Sequence, residues 1–131
     1  MNIENTASRF APFVLSIVRI MTALLLLQHA LSKFFGFPMA MKTPAMFSLY
    51  WFAGAIELVF GALLLIGLWS RCVAFILSGH LAFAYFIGHA PRGFYPLTNG
   101  GEAAVLFCFI FLYLACAGPG PLSVDAMRGK R

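Results

Sequence analysis

Four long apolar stretches dominate the hydrophobic pattern of this chain. Their approximate bounds are residues 12–33, 50–68, 72–89 and 102–117. A helix needs about 17–25 residues to cross a bilayer. Pro12 suits the first turn of a helix, and the Gly-Pro-Gly-Pro run that begins at Gly118 ends the last stretch. The pattern therefore predicts four transmembrane helices.

The connections between these stretches predict how the helices are arranged. Only Trp69, Ser70 and Arg71 separate the second stretch from the third, which predicts a tight antiparallel hairpin. The segments 34–49 and 90–101 are longer and rich in aromatic residues, as is typical of loops at the membrane–water interface. We therefore predict an all-α polytopic membrane protein, a four-helix antiparallel bundle formed by one domain over residues 1–131.

Composition supports this prediction. Of the 131 residues, 62% are hydrophobic and 10% charged, and the mean hydropathy is +0.91. A soluble domain has about 45–50% apolar and about 25% charged residues. These values exclude a water-soluble fold and argue against disorder and nucleic-acid binding. The three cysteines show no CxxC pairing, so we interpret them as packing residues with no disulfide or zinc pattern.

The distribution of basic residues predicts the orientation. The face with both termini carries Arg9, Arg71, Arg128, Lys130 and Arg131. The opposite face carries only Lys42 and Arg92. Because short cytoplasmic segments are enriched in Lys and Arg, we expect cytoplasmic termini and a multi-pass protein of the bacterial inner membrane.

Ionisable residues inside the stretches are the candidates for function. Each costs about 2.5–3.5 kcal/mol at the bilayer centre on insertion scales, so such groups face the bundle interior and have partners. Arg19, His29 and Lys33 share one face of the first helix, and Glu57 lies between Gly54 and Gly61 on one face of the second. The full set of ligand-binding or proton-handling candidates is Arg19, His29, Lys33, Glu57, His80, His89, Arg92, Asn99, Glu102 and Tyr113.

The depth of each ionisable residue in the membrane, estimated from its position along its helix, predicts two polar clusters. We expect an outer cluster of His29, Lys33, Glu57, His89, Arg92 and Glu102. We expect an inner cluster of Arg19 with His80. On a straight helix His80 and His89 point in nearly opposite directions, which argues against one shared ligand unless the helix bends near Gly88. Glu57 paired with His29 would suit proton-coupled chemistry.

Two interpretations of the clusters remain open. They could be internal ion pairs that fix the register of the helices, or a polar pocket that holds a ligand or moves protons. We expect no metal site, since no HxxxH or ExxH spacing occurs on any one helix. Glu102 shares a face of the fourth helix with Phe109, Tyr113 and Cys116.

The order of several short motifs resembles the DoxX family of small bacterial membrane proteins. The residues His29-Ala-Leu-Ser-Lys33-Phe-Phe-Gly36-Phe37 are similar to the family's HGxxKxFGF stretch, and Gly54-Ala-Ile-Glu57-Leu is similar to its GxxEL element. Further matches are Arg19, Gly67-Leu-Trp-Ser-Arg71, His89, Gly93-Phe94, Asn99-Gly-Gly-Glu102, Gly118-Pro-Gly120 and Ser123-Val-Asp125. The resemblance covers about residues 15–127. It implies a four-helix membrane bundle associated with membrane redox reactions, as in the related quinone-linked DoxD subunit.

Three function hypotheses follow. The first is a redox-associated subunit that binds a quinone-like lipophilic molecule through His29, Lys33, Glu57 and Glu102, with Phe94, Tyr95 and Tyr113 stacking on its ring. The sequence has no haem, flavin or iron–sulfur motif, so electrons would come from a membrane or soluble redox partner. The second is a small-molecule transporter. The third is a non-catalytic assembly or scaffold protein. Membrane lipid is an expected partner in every case, a homo-oligomer is left open, and whether the chain is an enzyme stays undecided.

Overall fold

A computed structural model describes residues 2–130 of the chain. Every regular element among these residues is helical. The helices are α1 (Ile3–Phe35), α2 (Leu49–Ile66), α3 (Ser70–Gly88), α4 (Pro96–Asn99), α5 (Glu102–Ala117) and α6 (Val124–Met127), with a 3₁₀ turn at Ala90–Arg92. The four longer helices overlie the four apolar stretches of the sequence. Arg131, one of the residues used to predict the orientation, lies outside the described residues.

Helix α1 begins well before the apolar stretch that predicts it. Its first residue is Ile3, and the side chain of Asn2 accepts a hydrogen bond from the backbone N–H of Glu4 at 3.0 Å. Asn is a favoured N-cap, and an acidic residue in the first turn interacts favourably with the helix dipole. Pro12 therefore lies inside the helix and not in its first turn. The Asn2–Glu4 pair was the signal for this start in the sequence.

Among residues 2–130, three helices are long and apolar enough to cross a membrane, as judged by length and composition. They are α1, α2 and the segment Ser70–Arg92, while α5 is apolar but shorter. At 1.5 Å per residue α1 is about 50 Å long, which exceeds the roughly 30 Å of a bilayer's hydrocarbon core. Large apolar side chains are exposed along every long helix, among them Ile17, Val59, Phe83 and Leu106. Such an extensive apolar surface requires a lipid environment.

The bundle consists of two helix pairs. Helix α1 packs along α2, and α3 packs along α5, while contacts between the two pairs are fewer. The pairs meet in a common core of buried apolar side chains that includes Leu26, Leu64, Leu77 and Phe111. The α2–α3 connection is short because Gly67 takes a left-handed conformation, with φ of 73°, and ends α2. This short turn connects the first helix pair to the second at one end of the bundle.

We call this end, which also carries the residues that follow α5, the inner end of the bundle. The segment after α5 folds back against α1 there. Ser16 Oγ donates to the carbonyl of Pro119 at 3.2 Å and accepts from the backbone N–H of Leu122 at 3.1 Å. A Cβ atom on Gly120 would overlap Ser16 Oγ and lie 2.9 Å from the Pro12 carbonyl oxygen. Glycine at position 120 therefore permits this close approach.

Asp125 fixes the α2–α3 turn from the same side. Its two carboxylate oxygens accept hydrogen bonds from the backbone N–H groups of Trp69 and Ser70, at 2.9 Å and 2.8 Å. Its own N–H donates to the carbonyl of Gly67 at 2.9 Å. Burial by itself raises the pKa of the Asp125 carboxyl, but the hydrogen bonds from Ser70 and Trp69 outweigh it and lower the pKa. The carboxylate thus caps the start of α3, where anions are favoured.

We expect Asp125→Asn to lower the stability of the protein by about 1–3 kcal/mol, because an amide cannot accept both N–H groups in the same way. The pKa of Asp125 is lower in the folded chain, so the carboxylate's contribution is present at neutral pH and is lost as the pH falls through that pKa. The measurement is the thermal unfolding midpoint in detergent from about pH 7 down to about pH 3. The difference between wild type and variant should shrink with acidification. A difference that does not depend on pH would contradict this assignment.

Candidate functional site

A cavity of about 520 Å³ lies between the two helix pairs, at the end of the bundle opposite the inner end. We call this end the outer end and this space the outer cavity. All four long helices contribute to its wall, which is mostly apolar. Its polar or ionisable side chains are His29, Lys33, Tyr50, Glu57, His80 and His89. Four of the six titratable candidates predicted for the outer cluster therefore line one space.

Glu57 occupies the centre of the polar part of this wall. Its side chain is 9% exposed. Lys33 Nζ donates to Glu57 Oε2 at 3.0 Å, and His80 Nε2 lies 3.2 Å from Glu57 Oε1. We call Lys33, Glu57 and His80 the Glu57 cluster. It joins α1, α2 and α3, and so connects the first helix pair to the second.

Two glycines on α2 bring Lys33 within reach of Glu57. A Cβ on Gly54 would lie 2.8 Å from the ring of Phe34, and one on Gly61 would lie 3.0 Å from Leu27. Small residues at these positions let the two helix backbones approach closely. The sequence predicted this glycine face around Glu57, and all three positions are buried in the structure.

His80 belongs to the Glu57 cluster and not to an inner cluster with Arg19. The prediction of that inner pair is therefore wrong. The Arg19 side chain is 1% exposed, and its hydrogen bonds go to backbone carbonyls of Pro119, Leu122 and Leu65. The C-terminal segment thus supplies two of the three acceptors of Arg19, and α2 supplies the third. No helical periodicity could reveal the first two, because they lie in an irregular segment about a hundred residues away in the chain.

His29 is not the partner of Glu57 that the sequence suggested. Its side chain is exposed at the cavity wall, and its ring stands edge-on to Phe107 with centroids 6.5 Å apart. Among residues 2–130 no hydrogen bond or ion pair involves His29. Its ring nitrogens are therefore available to a molecule in the outer cavity.

His89 lines the same cavity as His80, contrary to the directions predicted for a straight helix. His89 is the C-cap residue of α3, and its backbone N–H still donates to the carbonyl of Tyr85. His89 Nδ1 lies 3.2 Å from the carbonyl oxygen of Asn99. The position of this ring depends on the turn that follows α3.

Asn99 stabilises the turn that follows α3. It is 2% exposed. Its amide donates to Tyr85 Oη at 3.1 Å and to the Gly93 carbonyl at 2.9 Å, while its side-chain oxygen accepts from the Gly101 N–H at 2.8 Å. Both N–H groups of its amide and one of the two lone pairs of its side-chain oxygen are therefore used in hydrogen bonds within the protein. Asn99 thereby positions His89 and does not itself line the cavity.

Several predicted ligand contacts lie outside the outer cavity. Arg92, Glu102 and Tyr113 are exposed, and so are the proposed stacking residues Phe94 and Tyr95. The buried residues of α5 are Ala104, Phe111 and Leu114, and neither Glu102 nor Tyr113 is among them. Tyr113 lines a different concavity, beside Pro12 and Leu15 of α1. The expectation of stacking by these aromatic residues is not supported by their positions. Tyr50, Phe52 and Phe83 line the cavity instead.

The sequence reasoning did not single out Tyr50, Phe52 and Phe83. Tyr50 and Phe52 both lie in the first turn of α2, where aromatic residues look like ordinary interfacial anchors. The structure nevertheless places both of them, and Phe83 of α3, in the wall of the outer cavity. Within the described part of the chain no three His, Cys, Asp or Glu residues are arranged to hold a metal ion.

The fold and the cavity define a multi-pass membrane protein with a polar cluster inside an apolar bundle. The sequence profile of the DoxX family matches residues 14–90, the region that holds most of α1, all of α2 and α3, and the whole Glu57 cluster. The chain belongs to the DoxX family. It is also 38% identical to an uncharacterized protein of Haemophilus influenzae, with 92% of this chain and 95% of the relative covered. No solved structure matches the chain.

The Glu57 cluster should be energetically coupled. We expect Lys33→Met and Glu57→Gln each to destabilise the protein, because each leaves a charged partner without its counter-ion in an apolar setting. The double variant should lose less than the sum of the two, with a coupling energy of about 1–2 kcal/mol. The measurement is a double-mutant cycle of unfolding free energies in detergent.

Lys42→Met serves as the matched control, because Lys42 is exposed in the loop between α1 and α2. Its effect should add to that of Glu57→Gln without coupling. Additive behaviour of Lys33→Met and Glu57→Gln would show that the ion pair contributes nothing to the fold.

Proposed function

We propose that the protein binds a lipophilic small molecule with a hydrogen-bonding head group, of the quinone class, in the outer cavity, and that it acts as a redox-associated membrane subunit. The observation that carries this proposal is the lining of the cavity, apolar around most of its wall and polar at the Glu57 cluster. Small-molecule sites combine such walls with a few fixed polar groups, and their volumes are about 300–1,000 Å³. A volume of about 520 Å³ accommodates one substituted ring.

The polar groups match both redox forms of such a head group. A quinone carbonyl accepts hydrogen bonds, and the Lys33 ammonium has three N–H donors, of which one goes to Glu57. A quinol hydroxyl donates, and the Glu57 carboxylate offers lone pairs beyond those used by Lys33 and His80. His29 adds ring nitrogens at the wall. This set supports recognition of an oxygen-bearing ring.

Proton handling is the second part of the proposal. Reduction of a quinone to a quinol takes up two electrons and two protons. His80 Nε2 lies 3.2 Å from Glu57 Oε1, so a proton on the imidazole has a direct path to Glu57 and from there to a ring oxygen in the cavity. The electrons would come from a redox partner protein or a soluble reductant. The protein is therefore proposed as the binding and proton-handling subunit.

A pocket is better supported than a path through the membrane. The predicted stripe of polar residues on α1 ends at Arg19, and the C-terminal segment covers this side chain with carbonyl oxygens. A transported molecule would have to displace those contacts. The transporter hypothesis therefore has less support than binding from the outer end, and no observation favours a scaffold specifically.

The proposed ligand site requires Glu57. We expect decylubiquinone to bind the purified full-length protein in nanodiscs, and Glu57→Gln to weaken this binding about tenfold or more, because a charge-assisted hydrogen bond is lost. The measurement is quenching of intrinsic tryptophan fluorescence during titration. Glu102→Gln is the matched control, since Glu102 is an exposed glutamate outside the cavity wall, and its affinity should equal that of wild type. Equal affinities of all three proteins would overturn the proposal.

We further infer four membrane crossings, with α5 as the fourth, and cytoplasmic termini in a bacterial inner membrane. Contacts of the C-terminal segment with Ser16 and Arg19 support an even number of crossings, since they bring the start and the end of the bundle together. The excess of Lys and Arg at this end supports the orientation.

Reporter fusions test this topology. A C-terminal green fluorescent protein should fluoresce, and a C-terminal alkaline phosphatase should be inactive, because phosphatase folds only outside the cytoplasm. As the control, phosphatase fused after Lys42, between α1 and α2, should be active. The reverse pattern would place the outer cavity on the cytoplasmic side.

A further inference from the structure

A second concavity, of about 470 Å³, lies at the inner end and shares no lining residue with the outer cavity. Its apolar part follows the α2–α3 hairpin, with Phe60 and Leu63 on one side and Val73 and Ile76 on the other. Basic side chains lie at its mouth. We propose that this inner groove binds an anionic phospholipid, with one acyl chain along the hairpin and the phosphate at the mouth.

The groove has the dimensions and direction of an acyl-chain site. It reaches from the α2–α3 turn at Trp69 to Ile76, which is about 10 Å along α3 at 1.5 Å per residue. Ile76 is 40% exposed and Trp69 is 55% exposed. Trp residues are enriched at the membrane–water interface, so the turn lies at head-group level and the groove extends from there into the hydrocarbon.

Charge at the mouth selects an anion. Arg71 and Lys130 both line the groove and both are exposed, and Arg128 follows α6 nearby in the chain. Arg71 also donates to the carbonyl oxygens at the end of α5, which holds its guanidinium at this position. Basic pockets between helices at the cytoplasmic surface bind anionic head groups.

Asp125, which also lines the groove, does not oppose the binding of an anion. Asp125 is 6% exposed, and its carboxylate oxygens accept the backbone N–H groups of Trp69 and Ser70. The positive end of α3 therefore compensates its charge. A phosphate at the mouth would interact mainly with Arg71 and Lys130.

Native mass spectrometry of the detergent-purified full chain tests this site. Dioleoylphosphatidylglycerol should bind more tightly than dioleoylphosphatidylcholine. Lys130→Gln should weaken binding of the phosphatidylglycerol about fivefold, the effect of one basic residue near a charged lipid surface. Lys42→Gln, an equivalent change of an exposed lysine at the outer end, should leave it unchanged.

A second pair of variants tests the acyl-chain part. Ile76→Trp fills the groove and should reduce binding of both lipids, while Phe75→Trp, at an exposed neighbour outside the lining, should not. Three results would overturn the proposal: equal affinity for the two lipids, equal effects of Lys130→Gln and Lys42→Gln, or equal effects of the two tryptophan variants. Saturable binding of inorganic phosphate with the same dependence on Lys130 would assign the mouth to a free anion and likewise overturn a lipid site.

Discussion

The bundle depends on a carboxylate that is held in an apolar interior by two basic side chains. An ionised group away from water is tolerated only when it is paired and hydrogen-bonded, and Glu57 meets this condition through Lys33 and His80. Because the two partners lie on α1 and α3, Glu57 joins helix pairs that otherwise contact each other sparsely. The outer cavity lies beside this junction. The interaction that stabilises the assembly is thus also the polar feature of the site.

At the inner end, too, a buried charged side chain needs hydrogen-bonding partners. Here the charged group is a donor, and its partners are backbone acceptors. There the Gly-Pro-rich segment after α5 leaves backbone carbonyls without helical partners, and an arginine inside the bundle needs acceptors. The terminal nitrogens of Arg19 donate to the carbonyls of Pro119 and Leu122, while its buried Nε has no hydrogen-bond partner among the described residues. Asp125 stabilises the same end, because its carboxylate accepts hydrogen bonds from the first N–H groups of α3. The C-terminal segment is therefore part of the bundle, and its Gly, Pro, Ser and Asp residues are required by contacts far away in the chain.

Periodicity and hydropathy predicted the helices and the buried face of α2, because these depend on local residue order and on burial against a neighbour. The DoxX resemblance was confirmed by the family match. The pairing of His80 with Glu57 was not predicted, since depth estimates along a helix do not determine how two helices are rotated and staggered. His89, predicted as a member of the outer cluster, lines the cavity from the C-cap position of α3. From the sequence Asn99 is a ligand candidate, yet its hydrogen bonds to Tyr85, Gly93 and Gly101 depend on a turn whose geometry no periodic pattern encodes.

The buried ionisable groups at the two ends differ in how much hydrogen-bonding capacity they retain. At the inner end the carboxylate of Asp125 is buried against backbone N–H groups, and the terminal nitrogens of Arg19 donate to backbone carbonyls. A ligand of either group would have to break these bonds, whereas the lipid site proposed for the inner groove uses Arg71 and Lys130 at its mouth. At the outer end Lys33 uses one of its three donors on Glu57, and its side chain is 19% exposed. The Glu57 cluster can therefore take a further oxygen atom without losing the contacts that hold the bundle together, which is the property a binding site in a membrane interior needs.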